Sequence, residues 1–425
     1  MDARGGDRAQ SMQIGAILLF GFLIVSISVM QATVIPDQNR QVEFAAYQEA
    51  AADLTDVRND VLAAASRDAA LGTTVNTGVD YPNRLLFVNP GPPPNRLATT
   101  DERTIAIENV QAVDGEPGNV RTFVESSVDG RAYATRDVRF DPDYNVFEGQ
   151  PMVVTGQEAY RVADNRPIPM ASQTLLQDDR IRVTLLRGDV DAGGESVSLT
   201  AATTSAATQT VVVTGSRDGQ DNIELRFQPP AGVDASGWVA TTGARLESSN
   251  DRVIDVASTG GDVVVTLDGT RRYRLQTAVV TVQDGDDGGT TNGEPDPAYV
   301  TTVLGQSRVV PPNTELPIVV EVRDRYNNPV SGATVEFSVT NGGSFVGPST
   351  ISTNAGGRAE VVFTGPTANT EYTVTATILD GSETYESASY DIQVTQGPQG
   401  QQGGGGGNGQ GGGQGGGQGG GQGNN

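Results

Sequence analysis

The 425-residue chain contains no cysteine, no histidine and no lysine; all 28 of its basic residues are arginine. The first absence excludes disulfides and thiolate chemistry, and the second excludes His-ligated zinc and Ser-His or Cys-His catalysis. Without lysine there is no Schiff-base chemistry. Catalysis would have to rest on carboxylates, Tyr, Arg and hydroxyls. A glycosidase-type carboxylate pair remains conceivable, but 52 acids make chance pairs inevitable, and the chain reads as a non-enzyme. No cofactor or metal site is expected. Aromatics are scarce at 5%, with a single tryptophan, Trp238, read as a core residue rather than a carbohydrate platform. No Asn-x-Ser/Thr acceptor occurs, so N-glycans are not expected.

What is abundant is negative charge. Thirty-three Asp and 19 Glu give a formal net charge of -24. An Asp-rich, lysine-free surface suits a protein kept soluble in concentrated salt, where repulsion is screened over a few Å. It also excludes nucleic acid as a partner, because no basic patch exists to neutralise phosphates. Arg271, Arg272 and Arg274 form the one dense basic cluster and read as decoration of a strand.

Against this polar background stands one charge-free run, Ala9 to Pro36. Its core, Ile14 to Ile35, is apolar apart from Ser26, Ser28, Gln31 and Thr33. Those 22 residues are enough to cross a hydrocarbon core as a helix. Arg4 and Arg8 favour a cytoplasmic N-terminus, which leaves the bulk of the chain outside the cell. From Asp37 to Leu71 there is neither Gly nor Pro, so helix is expected to continue, with Gly72 placed to end it. Tyr47, Leu54 and Val61, with Ala50, Val57, Ala64 and Leu71, make one apolar stripe. Pro36 either begins this amphipathic helix or kinks a continuous one.

Arg8-Ala9-Gln10-Ser11 before Ile14-Gly15-Ala16-Ile17-Leu18-Leu19 resembles the class III leader of archaeal type IV pilins, those of halophilic archaea especially. The resemblance implies a prepilin-type peptidase cutting between Ala9 and Gln10, removal of residues 1–9, and retention of the helix. It further implies packing against like subunits or other pilins through that helix. Met12 departs from the family, where proline is common. Without processing, the same segment would be a plain membrane anchor. Tyr81 to Asn89 and Asp143 to Tyr160 are similar to pilin-like surface proteins of the same organisms.

Residues 72–283 read as a β-rich sandwich ectodomain of one or two units, with a break expected near residues 201–208. Strands are expected at 84–88, 104–107, 180–186, 196–200, 209–214, 222–227, 262–267 and 273–282. Residues 284–297 read as an acidic linker, and 396–425, almost entirely Gly, Gln and Asn, as a disordered tail without an anchor. Membrane attachment is therefore expected at the N-terminus.

Between these lies a module, 298–395. Arg323-Asp324-Arg325-Tyr326-Asn327-Asn328-Pro329 follows one strand, Thr334 to Thr340 alternates Val335, Phe337 and Val339 inward, and Thr353-Asn354-Ala355-Gly356-Gly357-Arg358 precedes another. The segment resembles the bacterial Ig-like group 1 (Big-1) domain of invasin- and intimin-type adhesins. That implies a spacer or presenting module. Asn327 stands where the family has Gly, and Asn tolerates left-handed backbone. The fold class expected is mainly β: a transmembrane helix over 10–35, an amphipathic helix over 36–71, a β-sandwich ectodomain and an Ig-like sandwich. The functional expectation is a surface structural protein, a pilin-like subunit or a pilus-associated adhesin. The alternatives are an anchored receptor or adhesin that does not polymerise and, third, a carboxylate-dependent hydrolase.

Overall fold

The computed structural model describes residues 6–67, 69–125, 131–285, 296–303, 305–379 and 387–395. Most of the acidic linker and the whole Gly/Gln tail expected from the sequence lie outside the described residues.

One unbroken helical rod opens the chain: an α-helix over Gly6–Val29, a π-turn over Met30–Val34 and an α-helix over Ile35–Arg67. Pro36 explains the π-turn. Its ring lacks an N–H and would collide with the carbonyl four residues back. The ladder widens instead, with the Ile35 N–H reaching Met30 O, five residues back. The helix is thus continuous, with a local change of winding where a boundary or a kink was expected.

The two halves of the rod differ in surroundings. From Met12 to Val34 no side chain is buried, and Met12–Arg67 holds the one helix among the described residues that is long and apolar enough to cross a membrane. From Ile35 onward one face is covered. Ile35, Asn39, Glu43, Tyr47, Ala50, Leu54, Val57, Val61 and Ala64 recur every three or four residues and are all buried. The expected helix ended at Leu71. It stops instead at Arg67, and Ala70–Asn76 is a strand. Leu71-Gly72-Thr73-Thr74-Val75 is better described by β-branched alternation than by helix. Gly72 sits inside this strand, opposite Thr200, and caps nothing.

That strand edges a seven-stranded sheet, running Ala70–Asn76, Ser196–Ser205, Tyr273–Asp284, Arg180–Arg187 and Leu176–Gln177, with Val211–Gly215 and Val110–Ala112 joined at the side. Its central pair, Arg180–Arg187 and Tyr273–Asp284, is parallel, with Ile181 opposite Leu275. A six-stranded sheet (Asp191–Gly193, Arg96–Thr99, Val138–Asp141, Met152–Val154, Ala159–Ala163, Arg166–Ala171) closes the helix against the first sheet. A five-stranded sheet (Val253–Thr259, Asp262–Leu267, Ile223–Phe227, Arg103–Glu108, Arg131–Thr135) covers the opposite side. The helix stripe therefore fills a core lined by Val197, Leu199, Ala201, Val280 and Val282.

Two expectations fail here. Ser196–Ser205 runs on through the break expected near 201–208, because Ala201 to Ser205 pair with Tyr273–Asp284 across a bulge. Residues 84–88 are a loop, not a strand, and leave Leu85, Leu86 and Val88 exposed. The other expected strands are present to within a few residues.

The C-terminal module is a sandwich of a four-stranded sheet (Pro297–Thr302, Glu315–Asp324, Arg358–Thr364, Ser344–Val346) on a five-stranded one (Ser307–Val310, Ser387–Val394, Thr370–Ile378, Thr334–Val339, Thr350–Ser352). Val335 and Phe337 point into its core and Glu336 and Ser338 to solvent. Asn327 adopts φ +69°, the left-handed turn the sequence required. Gly357, at φ +71°, packs against Pro329, where a Cβ would lie 2.8 Å from that ring.

Candidate functional site: the helix clamp and the seam to the C-terminal module

Arg8, Ala9 and Gln10, singled out for leader processing, lie in the backbone of the first helix; their side chains, and residues 1–5, fall outside the described residues.

Further along the rod the head grips the helix through polar groups. Glu43, buried on the stripe, accepts the backbone N–H groups of Val146 (2.8 Å) and Phe147 (2.6 Å) and the Tyr81 hydroxyl. Burial, reinforced by the Glu43 carboxylate, pushes the Tyr81 phenol up to about 12. Asn39 accepts from Arg84 Nη1 at 2.8 Å. The Tyr47 hydroxyl donates to Gln150 O at 3.1 Å, and its ring meets Phe147 with centroids 5.3 Å apart. Sequence reasoning missed Asn39 and Glu43. Their one signal was register: they precede Tyr47 by eight and four residues, on the same face.

The helix is also tied near its end. Thr203 Oγ1 donates to Ala64 O at 2.7 Å, and the Asn76 N–H donates to Asp53 at 2.9 Å.

Within the head, Trp238 is 2% exposed and packs edge-on against Phe227 with centroids 5.0 Å apart. Its indole N–H donates to Glu158 at 2.8 Å. Burial raises the pKa of Glu158. Asp137 is gripped by Arg103 through Nε and Nη2 at 2.8–3.1 Å. The two carboxylates are 5% and 0% exposed. They are internal partners of Trp238 and Arg103. Arg271 pairs with Asp251 (2.9 Å) and Asp268 (3.2 Å), and Arg274 with Asp179 (2.6 Å), so these members of the basic cluster serve surface ion pairs. Among the described residues no group of three or more acids is arranged to hold a metal ion.

The second built feature is a seam between the head and the C-terminal module. The turn after Glu315–Asp324 lies against the head's seven-stranded sheet. The Ser205 hydroxyl donates to Asp324 Oδ2 at 2.5 Å. Asp324 Oδ1 accepts the N–H groups of Tyr326 (2.8 Å) and Asn328 (2.9 Å). Asn328 Nδ2 donates to Ser205 Oγ at 2.8 Å and to Thr277 O at 2.7 Å. Arg187 Nη2 donates to the Tyr326 hydroxyl at 2.7 Å. Tyr299 stacks on Phe123 with centroids 4.2 Å apart, and Asn119 Nδ2 donates to Val300 O (2.5 Å) and Ser387 O (2.8 Å). Desolvation dominates at Asp324 and pushes its carboxyl up to about 6 despite these donors.

The module carrying this seam matches a family model. Residues 313–394 fit the bacterial Ig-like domain (group 1). The match is confined to that module. Among solved structures, the D0-D1 domain of Intimin is 16% identical, over 42% of this chain and 92% of that one, with a TM-score of 0.20. The Yersinia pseudotuberculosis adhesin InvE is 13% identical, over 42% and 55%, with a TM-score of 0.21. Domains 4 and 5 of the S-layer protein SbsC are 11% identical, over 52% and 96%, at 0.21. Comparison with the curated proteins gives no match.

The group-1 Ig-like module therefore uses its Asp324–Pro329 turn for two purposes: closing its own strand connection and docking on the head. Sequence reasoning located the turn and assigned it only the first.

Proposed function

We propose that the chain is a membrane-anchored cell-surface protein of adhesin type, with a type IV pilin-like helix and the group-1 Ig-like module presented outward. The observation that carries the reading is the division of one continuous helix at its π-turn. The half before it exposes a mainly apolar run from Ile14 to Val29, while the half after it is locked into the head by a buried stripe. A helix built this way holds a folded head at a bilayer surface. Arg8 and Arg4 support a cytoplasmic N-terminus, and the acidic, lysine-free composition supports a salt-rich exterior and, with the leader, a halophilic archaeal host.

The non-polymerising anchored adhesin is the second reading, and one observation favours it. Ala50, Val57 and Ala64, small enough for close helix–helix packing, are already covered by the chain's own head.

Mass spectrometry of the N-terminal peptide, on protein taken from its native membrane, tests the reading. A start at Gln10 is expected and would establish peptidase processing. A start at Met1 or Asp2 would leave the plain anchor, and a start beyond Ala32 would overturn membrane anchoring altogether.

A further inference from the structure

The loop 84–88 is where an expected strand is missing, and it is apolar at its tip. Leu85, Leu86 and Val88 are 104%, 72% and 78% exposed. The tip is fastened to the apolar half of the helix. Gln31 Nε2 donates to Val88 O at 3.1 Å, and the Val88 N–H donates back to Gln31 Oε1 at 3.3 Å. Behind the tip, Arg84 donates to Asn39 and Asn89 and, at 3.2 Å, to Gln38, and Asn89 Nδ2 closes the loop on Pro82 O at 2.9 Å.

The height of this contact is set by helix geometry. Ile14 to Ile35 rises about 32 Å at 1.5 Å per residue, the thickness of a hydrocarbon core of about 30 Å. Gln31 lies four residues inside the outer end, about 6 Å below it. A loop tied there meets the layer between headgroups and acyl chains, where amphipathic segments sink about 5–10 Å. Its chemistry fits that layer. From Tyr81 to Thr100 there is no Asp or Glu, in a chain with 52 acids, and Arg84 and Arg96 are the charges present. The Gln31 amide also answers a difficulty on each side, since neither a lone amide on the helix nor the Val88 backbone could enter hydrocarbon unpaired.

Resting on the membrane-anchor reading, we infer that Leu85, Leu86 and Val88 form a second membrane contact. The loop inserts into the outer leaflet beside the helix and fixes how the head sits on the bilayer.

The absence of cysteine makes the test clean, because a single introduced thiol takes one spin label. The full chain, carrying Leu86→Cys, Phe22→Cys or Val309→Cys, is reconstituted into vesicles of phosphatidylcholine and phosphatidylglycerol at 7:3. Collision with oxygen and with a water-soluble nickel chelate is then compared. Phe22 lies mid-span, and Val309 is an exposed site on the Ig-like module. The label at Leu86→Cys is expected to favour oxygen over nickel several-fold more than the label at Val309→Cys, at a depth near the phosphates. Equal nickel access at the two sites, with Phe22→Cys still deep, would sink the loop contact and leave the anchor standing. Nickel access at Phe22→Cys would overturn both. A label at Leu86→Cys shielded from oxygen and nickel alike would mean that another protein copy covers the loop, and would also overturn the inference.

Discussion

Asp324 makes the seam sensitive to pH, and the sign can be worked out. Its carboxyl titrates near 6 when docked, against an ordinary 3.8. The docked state therefore holds its proton more tightly than the undocked or unfolded state does. Stability from this group is greatest below pH 3.8, falls as pH rises towards 6, and is flat above that. The difference of roughly two pH units corresponds to about 3 kcal/mol at 1.36 kcal/mol per unit. Asp324→Asn should remove the dependence while keeping an amide oxygen to accept the Tyr326 and Asn328 N–H groups. Other titrating groups, Glu158 among them, cancel when wild type and variant are compared at each pH. The assay is chemical denaturation of both proteins from pH 4 to pH 7.5 in constant salt. The wild type should lose about 2 kcal/mol relative to the variant across that range, the remainder of the effect lying below pH 4. A difference that stays level within about 0.5 kcal/mol would show that the three donors stabilise the buried charge fully, and would refute the reasoning.

Three further outcomes follow from the same structure. Leu54→Ala, at a fully buried stripe position, should cost about 2–5 kcal/mol in urea unfolding, and a loss under about 1 kcal/mol would show that the head does not depend on the stripe. Glu43→Ala strands two backbone N–H groups and the Tyr81 hydroxyl, with an expected loss of about 2–4 kcal/mol; an unchanged Tm would contradict the clamp. Asn328→Ala removes the bonds to Ser205 and Thr277 and should speed hydrogen exchange at the Tyr326 amide roughly tenfold, while exchange in the Leu54 turn stays as it was. Equal acceleration at both places would indicate global destabilisation rather than a loosened seam.

The regular parts of this fold were legible where periodicity was strong. The stripe from Tyr47 to Ala64 was readable because apolar residues recur every three or four positions, and the module because Thr334 to Thr340 alternates strictly. The errors fall where local pattern is ambiguous. Leu71 continues the helical series but lies in a strand, because Ala70–Asn76 gains a partner in Ser196–Ser205, 120 residues on. Leu85-Leu86-Phe87-Val88 has the composition of a strand yet pairs with none, its Val88 backbone groups being taken by Gln31. Glu43 carried no signal beyond its register, since nothing nearby in sequence announces the Val146 and Phe147 amides. The seam was illegible for the same reason: Ser205 and Asp324 meet across 119 residues, through contacts between domains.

The strand Ser196–Ser205 has a mechanical consequence. Thr203 holds the carbonyl of Ala64 at the end of the helix, and two residues later Ser205 holds Asp324 of the Ig-like module. One path for a pull on the module against the helix would thus run through a few residues of a single strand, beside the contacts at Arg187, Thr277 and Phe123. That strand is flanked on both sides by antiparallel partners, so tension along it would load its ladder bonds together in shear instead of peeling them one by one. The joint between the Ig-like module and the long helix would then be among the stiffer parts of the molecule.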